Sequence, residues 1–286
     1  MRSLFIIFQY LVPQHLLSRL VGRIAASEIR WLKRRFIHWF IRRYKVDMSE
    51  AANSDPDSYS NFNAFFTRQL KAGARPVNES REILVCPADG IISELGEIRN
   101  DRLLQAKGRY FSLGELLGGD PADSEPFRDG SFVTVYLSPR DYHRVHMPAA
   151  GRLVSTTYIP GKLFSVNRVT ANAVPGLFAR NERLVCRFET DNGPMAQVMI
   201  GAMIVAGIDT VWSGQVCPGS HGLTRTDYTG HSPPVQLAKA AEMARFKLGS
   251  TVITLFGPGA VQLDQSLRSG SPVRMGEALA SANRHA

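Results

Sequence analysis

From Arg75-Pro76 onward the chain is cut into short runs rich in Val, Ile, Thr and Phe, separated by Gly, Pro, Asn and Asp. The runs are Ile83 to Val85, Gly90 to Ser93, Phe132 to Leu137, Gly151 to Ile159, Leu184 to Glu189, Ala196 to Gly207 and Thr210 to Gln215. Segments of this length and composition predict a mainly antiparallel β body. Only short helices are expected within it, near Ser112 to Leu117 and Val235 to Phe246. No repeat, low-complexity tract or Gly-rich phosphate loop interrupts it.

The 286 residues, 44% of them hydrophobic, can bury a full core as one large domain or as one domain plus an appendage. The expected class is α+β, with amphipathic helices over residues 1–46, a connection and short helix over 47–75, and the β-rich catalytic domain over 76–286. The formal charge of +9 is uneven: residues 1–45 hold ten Arg or Lys against the single acid Glu28. The other 24 basic and 24 acidic residues cancel, so the basic end is a specialised surface on a neutral body. Cys86, Cys186 and Cys217 are far apart with no CxxC spacing, which argues against a disulfide framework or zinc knuckle and for a reducing compartment.

Residues 1–17 are rich in Leu, Ile and Phe, but Gln9, Pro13, Gln14 and His15 interrupt them before the roughly 20 apolar residues of a membrane span. No clean small-residue cleavage site of a signal peptide follows. From Trp31 to Lys45, Leu32, Phe36, Trp39 and Phe40 fall on one helical face and Arg34, His38, Arg42 and Lys45 on another. Aromatics opposite cations describe a helix lying in the headgroup layer of an anionic membrane. The alternative is a helix packed on the protein's own core with a solvated basic face. Nucleic acid is disfavoured, because the aromatic and aliphatic density exceeds what a phosphate-reading face needs. Asn61 to Lys71 reads as a short helix stopped by Gly73.

Four places carry candidate chemistry. In Phe246-Lys247-Leu248-Gly249-Ser250-Thr251 a strand-like run is entered through a glycine and two hydroxyl residues. There is little bulk over the Gly249 carbonyl, so the Ser250 hydroxyl can reach it if a base is at hand; otherwise the same residues make a bend before an ordinary buried strand. Asp89, in Pro87-Ala88-Asp89-Gly90, is a candidate carboxylate or simply a turn residue. His143 and His146 lie three residues apart after a predicted strand, as structural histidines, a metal pair with Asp141, or imidazoles of one site. Metal is the weaker reading, since further ligands would have to come from the distant His221 and His231. Asp89, His146 and Ser250 are the types that form a relay, in which the carboxylate fixes the imidazole and the imidazole takes the serine proton.

Together Pro87-Ala88-Asp89-Gly90, Tyr136 to His146, Phe178-Ala179-Arg180-Asn181-Glu182-Arg183 and Phe246 to Thr251 resemble the bacterial phosphatidylserine decarboxylase proenzyme family, in the family's order and over essentially the whole chain. The resemblance implies a precursor that cleaves itself between Gly249 and Ser250 into a β chain of residues 1–249 and an α chain of residues 250–286, which stay together as a heterodimer. Asp89 would orient His146, His146 would deprotonate Ser250, and Ser250 would end as a covalent pyruvoyl group. That group would form a Schiff base with phosphatidylserine, with His143 as the acid that protonates carbon after CO2 leaves, giving phosphatidylethanolamine. It also implies a peripheral or monotopic position on the cytoplasmic side of the cell membrane, no metal, and a homodimer of the processed pairs. Gly161-Lys162-Leu163-Phe164-Ser165 is a weaker candidate for the substrate phosphate. Two other readings compete: a lipid serine hydrolase using the same three residues, against which no GxSxG elbow is present, and a non-catalytic membrane scaffold.

Overall fold

The computed structural model describes residues 2–203, 207–218, 222–247 and 250–283. Three helices come first: α1 (Arg2–Leu11), α2 (Gln14–Ala26) and α3 (Arg30–Tyr44). Pro13 separates the first two, as a residue lacking an N–H and fixed in φ does at a helix start. Lys45 ends α3 in the left-handed region, φ 55°. Next comes α4 (Phe62–Phe66), begun by the Asn61 side chain accepting from Ala64 N at 3.0 Å. The expected helix to Lys71 therefore stops early, where the chain turns into an antiparallel bridge between Ala51 and Leu70.

The amphipathic reading of α3 divides in two. Ile37 and Phe40 point inward and pack with Ala25, Val46, Phe62, Phe65 and Phe66 in a separate helical core. Each fully buried Phe there contributes roughly 1.5–3 kcal/mol. Trp31 and Trp39 point outward, and with Leu11, Leu16, Leu20 and Ile24 they leave large apolar side chains exposed on α1 to α3.

The strands follow in chain order as β1 (Ile83–Val85), β2 (Gly90–Glu97), β3 (Arg102–Ala106), β4 (Arg109–Ser112), β5 (Ser131–Leu137), β6 (Arg144–His146), β7 (Gly151–Ile159), β8 (Arg183–Thr190) and β9 (Gly193–Ile200). They continue as β10 (Gly207–Thr210), β11 (Gly214–Cys217), β12 (Thr224–Asp227), β13 (Gln236–Leu237), β14 (Glu242–Lys247), β15 (Ser250–Phe256), β16 (Val261–Leu263), β17 (Pro272–Val273) and β18 (Ala278–Ala282). All named pairings are antiparallel. The largest sheet runs β12-β7-β8-β9-β15-β5-β2-β17, with β13 added to β7. A four-stranded sheet, β11-β10-β14-β6, packs beside it. The α+β class and the antiparallel body are thus as the sequence predicts.

Three local expectations change. Ala196 to Gly207 is not one strand, because β9 ends at Ile200. Thr210 to Gln215 spans a turn between β10 and β11. Val235 to Phe246 is not a helix but β13 and β14, because β14 is paired on both edges, by β10 and β6. Tertiary pairing outweighs the helix-favouring Ala, Glu, Met, Arg and Lys of that stretch.

Both faces of the large sheet are covered. On β15, Val252 and Phe256 join one core with Leu137, Val145, Phe246 and Ala88, while Ile253 and Leu255 join the other with Phe132 and Ile200. By strand alternation Ser250 shares the Val252 face, the side on which β6, β14 and the turn before Gly90 lie.

Candidate active site

One connection frames the site. β5 pairs with β15 in the large sheet and β6 pairs with β14 in the four-stranded one, so residues 138–143 cross between the two sheets. Leu248 and Gly249 lie outside the described residues, as does His221. The visible half of the predicted junction is Ser250, fully buried opposite Leu137. Its Oγ and that of Thr251 find no hydrogen-bond partner among the described residues. A buried hydroxyl left without a partner costs about 1–3 kcal/mol.

The 138–143 connection is pinned by Asp141, whose Oδ2 accepts from Ser138 N and Oγ at 2.7 Å each. Burial pushes the Asp141 carboxyl up, against the lowering effect of those bonds. His143 Nδ1 meets the Asp141 carbonyl at 2.8 Å. A carbonyl only accepts, so the proton sits on Nδ1 and Nε2 keeps its lone pair. That nitrogen is buried without a partner among the described residues. The ring packs 4.0 Å from Phe66, and burial, with Arg68 also contributing, pushes its pKa down to about 3. His143 is therefore a neutral imidazole with a free basic nitrogen.

His146 is held differently. Its Nδ1 donates to Ala240 O at 2.8 Å, and its Nε2 accepts from the Tyr142 hydroxyl at 3.0 Å. Burial lowers the His146 pKa and pushes Tyr142 up to about 12. Asp89 sits in the adjoining turn, where Pro87 O accepts from His146 N at 2.8 Å. Its carboxylate does not bond His146: Oδ1 accepts from Arg75 Nε and Met275 N, each at 2.9 Å. Arg75 spans Asp89 and Glu50, with only 6% of its side chain exposed. The structure thus brings the Asp89 turn, His143, His146 and Ser250 to one side of the sheet without joining Asp89, His146 and Ser250 by direct hydrogen bonds. The sequence pattern gives no role to Tyr142 or Arg75, whose partners His146, Asp89 and Glu50 are set by the fold.

The Gly161–Ser165 loop is tied to the N-terminal helices. Leu163 N donates to Gln14 Oε1 at 2.7 Å and Ser165 N to Gln9 Oε1 at 2.8 Å. Asn181 in turn holds Phe164 and Gly201, just past the Ile200 that pairs with Thr251. All three cysteines are free and buried, and burial raises each thiol. Among the described residues no three His, Cys, Asp or Glu approach closely enough to hold a metal ion, and no helix is long and apolar enough to cross a membrane.

A buried serine without a hydrogen-bond partner among the described residues, on the face of the large sheet toward which the strand carrying His146 packs, defines a candidate site, and its relatives give it a family. Residues 62–281 match the family model described as phosphatidylserine decarboxylase, and residues 4–45 match one described as PSD. A phosphatidylserine decarboxylase proenzyme of Ectopseudomonas mendocina is 59% identical over 282 residues, covering 98% of this chain and 99% of that one. Relatives of the same name from Pseudomonas putida and Pseudomonas fluorescens are 58% and 57% identical over 279 residues, with 97% of each chain covered. The chain belongs to the phosphatidylserine decarboxylase family, a family of carboxy-lyases.

Proposed function

We propose that this protein is a self-processing decarboxylase that converts phosphatidylserine to phosphatidylethanolamine and CO2. The observation that carries the reading is Ser250: a fully buried hydroxyl, unpartnered among the described residues, at the first position of a central strand. In the first step Ser250 Oγ loses its proton to an imidazole and attacks the Gly249 carbonyl, and the amide becomes an ester as the Ser250 nitrogen takes up a proton. Loss of the α-proton expels the Gly249 carboxylate, and water then releases ammonia from residue 250.

His146 is the proposed base. Ala240 O fixes its tautomer, so the lone pair stands on Nε2, where Tyr142 must give way before Ser250 can be deprotonated. Asp89 bears on it through charge across the turn. His143, with Nε2 free, is the proposed proton donor to carbon after it has taken up a proton in the catalytic cycle.

The residues suit a pyruvoyl group at position 250: it would arise from Ser250 itself, at a fully buried position whose hydroxyl has no hydrogen-bond partner among the described residues. Such a group supplies a carbonyl that condenses with the substrate amine and accepts the electron pair of the breaking carbon–carbon bond. We assign the exposed apolar side chains and ten cations of the first 45 residues to peripheral attachment on an anionic membrane surface. The processed chains are proposed to remain a heterodimer.

Denatured mass tests this directly. Two chains are expected, the smaller beginning at position 250 and weighing one ammonia less than its encoded peptide, and Ser250→Ala should remain one inactive chain. An active wild type that stays intact would falsify self-processing and favour a lipid hydrolase.

A further inference from the structure

A cleft of about 550 Å³ opens beside the site, with Arg68, Arg75, Asp89, Arg140, Asp141 and Tyr142 in its wall. Most of its cations are already matched. Arg75 is saturated by Asp89 and Glu50, Arg274 reaches Glu50 at 3.4 Å, and Arg140 lies 3.8 Å from Asp141. Arg68 differs. It is 96% buried by accessible surface, at 4% exposure, yet it makes no ion pair among the described residues.

Its Nη2 donates to Arg140 O at 3.2 Å and its guanidinium lies 5.5 Å from the Phe65 ring centre. Nε and Nη1 are buried and have no acceptor among the described residues. Burial pulls its pKa down, the signature of a desolvated cation whose surrounding acids do not fully compensate it. Such a group is costly to a fold unless an anion is brought to it. The cleft's second cation without an ion pair among the described residues is Lys45, exposed at the C-terminal end of α3, the helix assigned to the membrane surface.

The proposed substrate carries two anionic groups, and the chemistry separates them. Its carboxylate leaves as neutral CO2, so a guanidinium clasping it would stabilise a charge that fades in the transition state and would raise the barrier. Its phosphodiester keeps its charge throughout, and a cation there contributes uniform binding. We propose that Arg68, with Lys45 at the mouth, holds the phosphodiester of the phospholipid headgroup in this cleft. This rests on the decarboxylase reading and names the binding group that reading leaves open. It also moves the phosphate away from the Gly161–Ser165 loop, whose Leu163 and Ser165 N–H groups are already taken by Gln14 and Gln9.

The test compares Arg68→Gln and Arg68→Lys with wild type after mass spectrometry has established that each is cut. Two substrates are used: phosphatidylserine in mixed micelles, and O-hexanoyl serine, which has the amine and carboxylate but no phosphodiester. Arg68→Gln should raise KM for phosphatidylserine about 10- to 100-fold with kcat little changed, and leave kcat/KM for O-hexanoyl serine within about 2-fold. Arg68→Lys should fall between. Glycerophosphoserine should compete for the wild type at concentrations where inorganic phosphate does not; equal competition would mark a general anion site and overturn the headgroup assignment. Equal loss on both substrates, or a fall in kcat with a shifted pH profile, would overturn it as well, since Arg68 would then act on His143. If neither variant is cut, Arg68 is a folding residue and the proposal fails. A wild type that decarboxylates neither substrate would instead refute the proposed function.

Discussion

Ser250, His143 and Arg75 illustrate two ways a buried polar side chain can stand in this core. Ser250 and His143 Nε2 have no partner among the described residues, whereas Arg75 is fully engaged with Asp89 and Glu50. Arg75→Gln would leave Asp89 short of its counter-charge. In the uncut Ser250→Ala background it should lower stability by about 3 kcal/mol or more, read from urea midpoints. His143 gives a pH signature with a definite sign. Its pKa is near 3 when folded against an ordinary value of 6.5, so the unfolded chain binds the proton first. Stability is therefore lost as pH falls below roughly 6.5, approaching 1.4 kcal/mol per unit above the folded pKa. Asp141, raised by burial, acts in the opposite sense just above 3.8. The diagnostic quantity is then the slope that Ser250→Ala loses on adding His143→Gln; identical slopes would refute the assignment of a neutral buried His143.

At the scale of elements, legibility followed locality. β1 and β7 coincide with the predicted runs because Pro87 closely follows the first, and Gly151 and Pro160-Gly161 bound the second, in the sequence itself. β14 departs from its helical local pattern because its strand character comes from β10 and β6, partners that no local pattern reveals. The site divides the same way. His143 and His146 were visible as close neighbours in sequence, but the Arg75 clamp joins Glu50, Asp89 and a loop from three separate stretches, and the Tyr142–His146 bond depends on how β6 turns its side chains. Gly90 positions the Asp89 turn: a Cβ there would come within 2.3 Å of Tyr136 O. Gly90→Ala should push β2 off β5 and leave most of the chain uncut by mass. The division of α3 gives another test. Trp31→Glu with Trp39→Glu should weaken binding to anionic vesicles while the unfolding free energy from urea titration stays within about 0.5 kcal/mol. Phe40→Glu should unfold the helical core instead, and a vesicle-binding loss confined to Phe40→Glu would contradict the outward assignment.

Across the whole molecule, a neutral β body carries a cationic helical end, joined through Gln9 and Gln14 to the loop that borders Gly201. Those amide bonds are uncharged, so salt should weaken vesicle binding without loosening this junction. The place of β15 has a further consequence. It lies inside the large sheet with β5 on one edge and β9 on the other, and β17 and β18 pair with β2 and β1. All of these small-chain strands are C-terminal to the proposed cut, and all of those partners precede it. Before the cut, refolding is a unimolecular event; after it, two polypeptides must find each other, and recovery becomes second order. Diluting urea-unfolded Ser250→Ala should restore structure at a rate independent of protein concentration. The processed wild type should recover more slowly and less completely at each dilution, because the stray 37-residue fragment from 250 to 286 has no core of its own. The working lifetime of the mature form is then set by its unfolding rate, because a molecule that opens once is not readily remade.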